Sequence, residues 1–215
     1  MAPETHIFED DGSVPNNDLP LLVYRDAFLE RGKAGAEWLV RTFADHNWTN
    51  SWRNGVYPFH HYHSTSHEVM GVYSGEATLH LGGEKGKKLD IKAGDVIVIP
   101  AGVGHKNLGS KNLGVVGAYP NGRDHDLLRG NPDDRPEAIK NIEAVPLPSQ
   151  DPLLGKDGGL VDIWKYPTPR LTIASKGSLC GLFRLTGFYA SQLVSLQTKD
   201  FYYLINSYYV QSLCT

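Results

Sequence analysis

Alternating and continuous apolar runs dominate the first three quarters of the chain. Residues 5–8 and 21–24 (Thr-His-Ile-Phe and Leu-Leu-Val-Tyr) read as short strands. A Gly/Pro/Asn-rich acidic loop separates them. From Ala34 to His46, Ala36, Leu39, Val40, Phe43 and Ala44 recur at helical spacing, which predicts one amphipathic helix packed on the outside of a sheet. Residues 47–54 carry Trp48 and Trp52 and read as a loop anchored by indoles. Seven short strands follow, near 57–63, 67–73, 76–82, 88–92, 96–99, 104–109 and 113–119, punctuated by Gly75, Gly82, Gly83, Gly94 and Gly102. Even spacing of this kind predicts a sandwich or barrel rather than a βαβ fold. Residues 120–132 form a polar loop, 133–141 a short helix, and 158–164 a last strand.

After Trp164 the character changes. The segment 165–215 holds both cysteines and more than half of the tyrosines but few charges. Its uncharged run, 185–198, is interrupted and falls short of the roughly 20 residues a spanning helix needs. The expected organisation is therefore 1–50, strands and a helix packing on a barrel; 51–164, the barrel and a return strand; and 165–215, an atypical extension that packs poorly and carries no function.

Composition narrows the function classes. A chain of 215 residues with 40% hydrophobic content supports one domain with a real core. The formal charge of −3 offers no basic field for nucleic acid or an anionic membrane. Two late cysteines make no disulfide framework and no spaced metal motif. The first residues lack the basic and apolar regions of a signal peptide, so a reducing, cytoplasmic setting is expected.

The chemistry concentrates between Gly55 and His105. His61 and His63 sit two apart in an extended, aromatic-rich stretch, so their imidazoles share one face, with His60 and Tyr62 on the other. After a polar turn, Glu68 opens the next strand. Folded back as a hairpin, that strand brings a carboxylate to the two imidazoles. His67 is the rival donor; being adjacent to Glu68, it points to the opposite face. His105 begins a later strand after the turn at Pro100–Gly102. Neutral nitrogens plus one hard oxygen suit a divalent metal. Asp124-His125-Asp126 lacks spaced partners and reads as a solvated loop, and Gly82–Lys87 reads as a hairpin turn rather than a phosphate loop. Arg53, Tyr57, Lys106 and Arg123 are polar neighbours able to orient a substrate, with Tyr57 and Arg53 the candidates for a catalytic role.

Two blocks of spaced residues resemble the cupin superfamily. Gly55, His61, His63, Glu68 and Gly75 match the first cupin motif without gaps, and Gly94, Pro100, Gly102 and His105 match the second. The Asn that ends the second motif is replaced by Gly109. Across residues 5–164 the chain resembles the YjlB-like cupins, through Thr-His-Ile-Phe-Glu-Asp-Asp-Gly, Pro-Ala-Gly-Val-Gly-His-Lys-Asn-Leu-Gly and Val-Val-Gly-Ala-Tyr-Pro. The resemblance implies an all-β jelly-roll barrel (a double-stranded β-helix) with one or two peripheral helices. It selects Glu68 over His67 and implies His61, His63, Glu68 and His105 as ligands of one divalent ion: Fe(II), Mn(II), Ni(II) or Zn(II). His60, His67 and His80 then lie outside the ligand set. Three imidazoles and one carboxylate leave the ion a net charge near +1 and, if octahedral, two open positions. The implied function is a metal-dependent cupin acting on a small molecule, foremost a dioxygenase-type oxidoreductase. The alternatives are a metal-dependent isomerase or a non-catalytic metal- or small-molecule-binding protein. No nucleic-acid or membrane partner is expected, and the family analogy implies a homodimer paired through sheet edges.

Overall fold

The computed structural model describes residues 1–165; the cysteine- and tyrosine-rich segment beyond them lies outside the described residues. Its elements are β1 (Glu4–Phe8), β2 (Asn17–Tyr24), α1 (Gly32–Asp45), β3 (Trp48–Asn54), β4 (Glu68–Leu81), β5 (Lys87–Lys92), β6 (Val96–Ile99), β7 (His105–Pro120), α2 (Arg135–Ala144) and α3 (Leu160–Ile163). The strands form a seven-stranded antiparallel sheet in the order β1-β2-β6-β4-β7-β3, with β5 added to β4. This is an all-β jelly roll.

β4 and β7 are long because each merges two of the shorter strands expected from the sequence. β4 runs on through Gly75, pairing β6 with its first half and β5 with its second. β7 runs on through Asn112. Both residues have positive φ, 68° and 51°, and the β4–β7 register shifts on either side of Ser74. A side chain on Gly75 would meet the Lys111 carbonyl oxygen at 2.2 Å. The two strands therefore bend together at one level instead of ending there.

Both faces of the sheet are buried, which explains the nearly continuous apolar strands. Leu21, Val23, Met70, Val72, Ile97, Ile99 and Val115 fill the barrel interior. Leu22, Tyr24, Val69, Val96, Val98 and Val116 point outward and are covered by Leu39 and Phe43 of α1. The helix docks at Gly71, where a Cβ would stand 2.4 Å from Leu39.

Three stretches differ from their sequence reading. Residues 48–54 form strand β3 on β7, not a loop. Asn47 and Asn50 have positive φ, and a bulge between Thr49 and Trp52 breaks the alternation. It sends Trp48 into the outer core and Trp52 toward the interior, although they are four apart. Residues 57–63 contain no regular strand and do not fold back on β4. Residues 160–163 form one helical turn rather than a strand. Leu160 and Trp164 bury on one side of it, Gly158 and Gly159 precede it with φ of 90° and 57°, and its first amide donates to Asp151 at 2.8 Å.

Candidate metal centre

The segment before β4 reaches the sheet through backbone bridges. His61 and His105 exchange both amide bonds, N to O at 3.2 Å and 2.9 Å. Opposed residues of such a pair place their side chains on one face, and the two rings lie 4.0 Å apart between centroids. The next residue, Tyr62, bridges instead to Leu128 at 2.9 and 3.0 Å and buries its ring on the other side, with Val14 and Ala138. His63 then returns to the face of His61, its ring 5.8 Å from those of both His61 and His105. Period two thus holds locally, but the partner is the strand opened by His105. Glu68, the first residue of β4, faces inward to the same point.

The tautomers are set by the backbone. His61 Nδ1 lies 3.2 Å from the Phe59 carbonyl oxygen, His105 Nδ1 lies 3.2 Å from that of Val103, and His63 Nδ1 bonds the Asp126 carbonyl. A carbonyl only accepts, so each Nδ1 carries the hydrogen and each Nε2 is left as a free donor atom for a cation. Glu68 Oε2 lies 3.6 Å from His63 Nε2 and 3.4 Å from His105 Nε2. One ligand atom from each of the three histidines lies within 4.8 Å of the others. The three imidazoles thus form a cluster able to hold one divalent metal, with the Glu68 carboxylate beside two of them.

The second oxygen of Glu68 is also held. Tyr119 Oη–H donates to Glu68 Oε1 at 2.9 Å, and Trp52 Nε1–H donates to Tyr119 Oη at 2.9 Å. Burial and the adjacent Glu68 carboxylate push the Tyr119 phenol up, so it stays a donor. Burial and the neighbouring His105 push His61 down to about 3. For His63, burial opposes protonation, but Glu68 and the Asp126 carbonyl outweigh it and the ring titrates above its ordinary value. Burial alone would raise the Glu68 carboxyl; the neighbouring His63 and His105 hold it well below the usual range.

The donors open into a cavity of ≈ 280 Å³ whose wall includes Trp52, Arg53, Tyr57, Tyr119, His125 and Leu127. Tyr57 stands half exposed at the mouth, stacked on Phe59 and edge-on to His61. Arg53 makes no ion pair among the described residues. Arg123 is turned away, its Nε donating to the Thr65 carbonyl at 2.6 Å, and Lys106 lies on the outer face near Glu84. His67 is buried on the opposite face from Glu68, against Trp164, with Nδ1 accepting from the Ala101 amide at 2.9 Å.

The loop expected to be solvated belongs to the site. Asp126 accepts from the Ser64 amide at 2.6 Å and its carbonyl fixes His63. His125 stacks on Tyr119 and lies 4.7 Å from the His63 ring. Only Tyr119 had a signal in the sequence: Val115, Gly117 and Tyr119 alternate with the outward-facing Val116 and Ala118.

Comparison with known proteins agrees with this architecture. The cupin domain family model matches residues 53–113. The uncharacterized protein YjlB of Bacillus subtilis (strain 168) is 46% identical over 163 residues, covering 75% of this chain and 96% of its own length. Among solved structures, acireductone dioxygenase from Bacillus anthracis, with cadmium in its active centre, is 16% identical with a TM-score of 0.32. That match takes in 43% of this chain and 62% of the other, less than two thirds of its length. A DUF861 family protein from Thermotoga maritima is 24% identical with a TM-score of 0.26, over 37% of this chain and 84% of that one. With nearly half of the aligned residues identical along almost the whole of a curated relative, the chain belongs to the YjlB-like cupins.

Proposed function

We propose that the protein is a metal-dependent enzyme for a small anionic molecule, a dioxygenase-type oxidoreductase, with His61, His63, Glu68 and His105 as ligands of one divalent ion. The observation that carries this reading is the shared tautomer: three imidazoles each give Nδ1–H to a backbone carbonyl and keep Nε2 for the same small space. A structural histidine cluster has no need of three identical orientations beside a buried carboxylate. A bound divalent ion would supply Lewis acidity and, if redox-active, electron transfer to dioxygen.

The remaining chemistry belongs to the cavity wall. Arg53, at the cavity wall and without an ion pair among the described residues, is the candidate cation for a substrate carboxylate or enolate. Trp52, Met70 and Leu127 give the substrate an apolar surface. The Tyr119 hydrogen goes to Glu68, so its oxygen presents lone pairs to His125 Nε2 at 3.3 Å. His125 Nε2 then carries the hydrogen and Nδ1 is its free acceptor. Burial and the proximity of His63 hold His125 below its ordinary value, so it is neutral near pH 7 and able to take a proton from substrate.

Dioxygen consumption by Fe(II)-loaded protein against catechols, enediols and thiols tests the proposal. Uptake with one panel member, abolished in His61→Ala and Glu68→Ala, is the expected result. Stoichiometric metal without uptake for any member overturns the oxidoreductase reading.

A further inference from the structure

A second donor cluster lies on the outside of the barrel. Leu79 and Leu81 of β4 face inward, so His80 between them faces out. His60 precedes His61 and points away from the central site. The two rings meet, with His60 Nε2 3.3 Å from His80 Nδ1 and centroids 4.8 Å apart. Glu84 Oε1 is 3.3 Å from the same His60 nitrogen. One donor atom of each residue lies within 4.8 Å of the others.

We propose that His60, His80 and Glu84 form a second divalent-cation site, facing solvent and suited to a borderline ion such as Zn(II). A tetrahedral ion with bonds of about 2.0–2.2 Å separates its ligands by about 3.3–3.5 Å, and both measured separations have that value. The imidazoles are fixed: His80 is buried on a central strand, and the His60 side chain is only 12% exposed. The Glu84 side chain is largely exposed, leaving the fourth position to water. The turn carrying Glu84 is tied down by Asp11, whose carboxylate accepts the Glu84 amide at 2.9 Å. His60 Nδ1 is buried with no hydrogen-bond partner among the described residues, so the ring's polar contacts are all made by Nε2, toward His80 and Glu84.

Two features oppose the ion and set its affinity below that of the central site. Lys106 Nζ lies 3.6 Å from Glu84 Oε1, and Lys88 and Lys106 flank His80 in register. Ligation through Nε2 also moves the His60 hydrogen to Nδ1, where it finds no acceptor.

The test is Zn(II) titration of the full chain with the bound metal counted after dialysis, alongside Co(II) absorption as a reporter of tetrahedral geometry. The wild type is expected to bind two equivalents. His80→Ala and the exposed-site variant Glu84→Gln lose the weaker equivalent or weaken it at least about tenfold, and with it the tetrahedral Co(II) bands. Lys106→Met tightens it by about fivefold or more by removing one cation about 4 Å away. Bound zinc whose stoichiometry and affinity are unchanged in both His80→Ala and Glu84→Gln overturns the proposal. Neither result bears on the central ligands, which remain intact in every variant.

Discussion

The Tyr119 hydroxyl donates to Glu68 Oε1 at 2.9 Å from the neighbouring strand, leaving only Oε2 turned toward the imidazoles. The carboxylate is thereby oriented as a one-oxygen donor. Tyr119→Phe removes that donor and leaves Trp52 Nε1–H without its acceptor. The variant is expected to bind metal at the central site about tenfold more weakly and to lose about 1–3 kcal/mol of stability. Calorimetric Ni(II) titration and urea unfolding measure the two effects; an unchanged Ni(II) affinity would show that Glu68 needs no such support.

Protons compete with metal first at His63. Its ring titrates above the ordinary histidine value, whereas His61 is pushed down to about 3 and stays neutral. Ligation needs the neutral ring, so affinity is steady at high pH and falls as pH drops through the raised His63 value. The decline is expected to begin above about pH 6.5, approaching tenfold per unit. Metal occupancy that is flat from pH 8 to 5 would contradict it.

Without metal, acid should destabilise the fold. Burial and then Arg123 push His67 down to about 3, and His61 lies equally low. In the unfolded chain both titrate near 6.5. Between those limits only the unfolded chain binds their protons, so their stabilisation is complete above about pH 6.5 and is lost as pH falls toward 3. Glu68 acts in the same direction at lower pH. His63 acts oppositely, helping below 6.5 and fading as pH rises, but it is one group against three. The urea unfolding free energy of metal-stripped protein should fall between pH 7.5 and 4.5 by about 2 kcal/mol or more, with a shallower slope in His67→Gln.

Docking of α1 rests on a missing side chain. Gly71→Ala forces a methyl to 2.4 Å from Leu39, and the buried helix stripe cannot yield freely. A loss of about 1–3 kcal/mol is expected, and Leu39→Ala, by opening a cavity, should cost about 2–5 kcal/mol. In the double variant the clash is relieved, so the two losses should be less than additive; thermal unfolding of the three proteins tests this.

Periodicity carried much of the architecture. Leu39 and Phe43 of α1 and the continuous run Val96–Ile99 lie where the pattern places them, because burial on both faces leaves a plain apolar signal. The convergence of His61, His63, Glu68 and His105 was readable through spacing and through the cupin resemblance. Their connection was not: the hairpin inferred between His63 and Glu68 is replaced by a bridge from His61 to His105, a pairing of single residues too short to leave a pattern. Bends were invisible for a related reason. Gly75 reads as a turn in sequence, and only the matching irregularity at Asn112 on the partner strand turns it into a bend. His125 and Asp126 were hidden because their role depends on where a polar loop lands, which no local period encodes.

The reciprocal amide pair between His61 and His105 also dictates when the two imidazoles can meet. No contiguous piece of chain holds both imidazoles without enclosing β4, β5 and β6 between them. A nascent polypeptide must therefore emerge past β6 and close that long loop before His105 can join His61, His63 and Glu68. Assembly of the full four-residue set is thus a sign of completion: the four side chains can meet only once the whole intervening meander has been threaded.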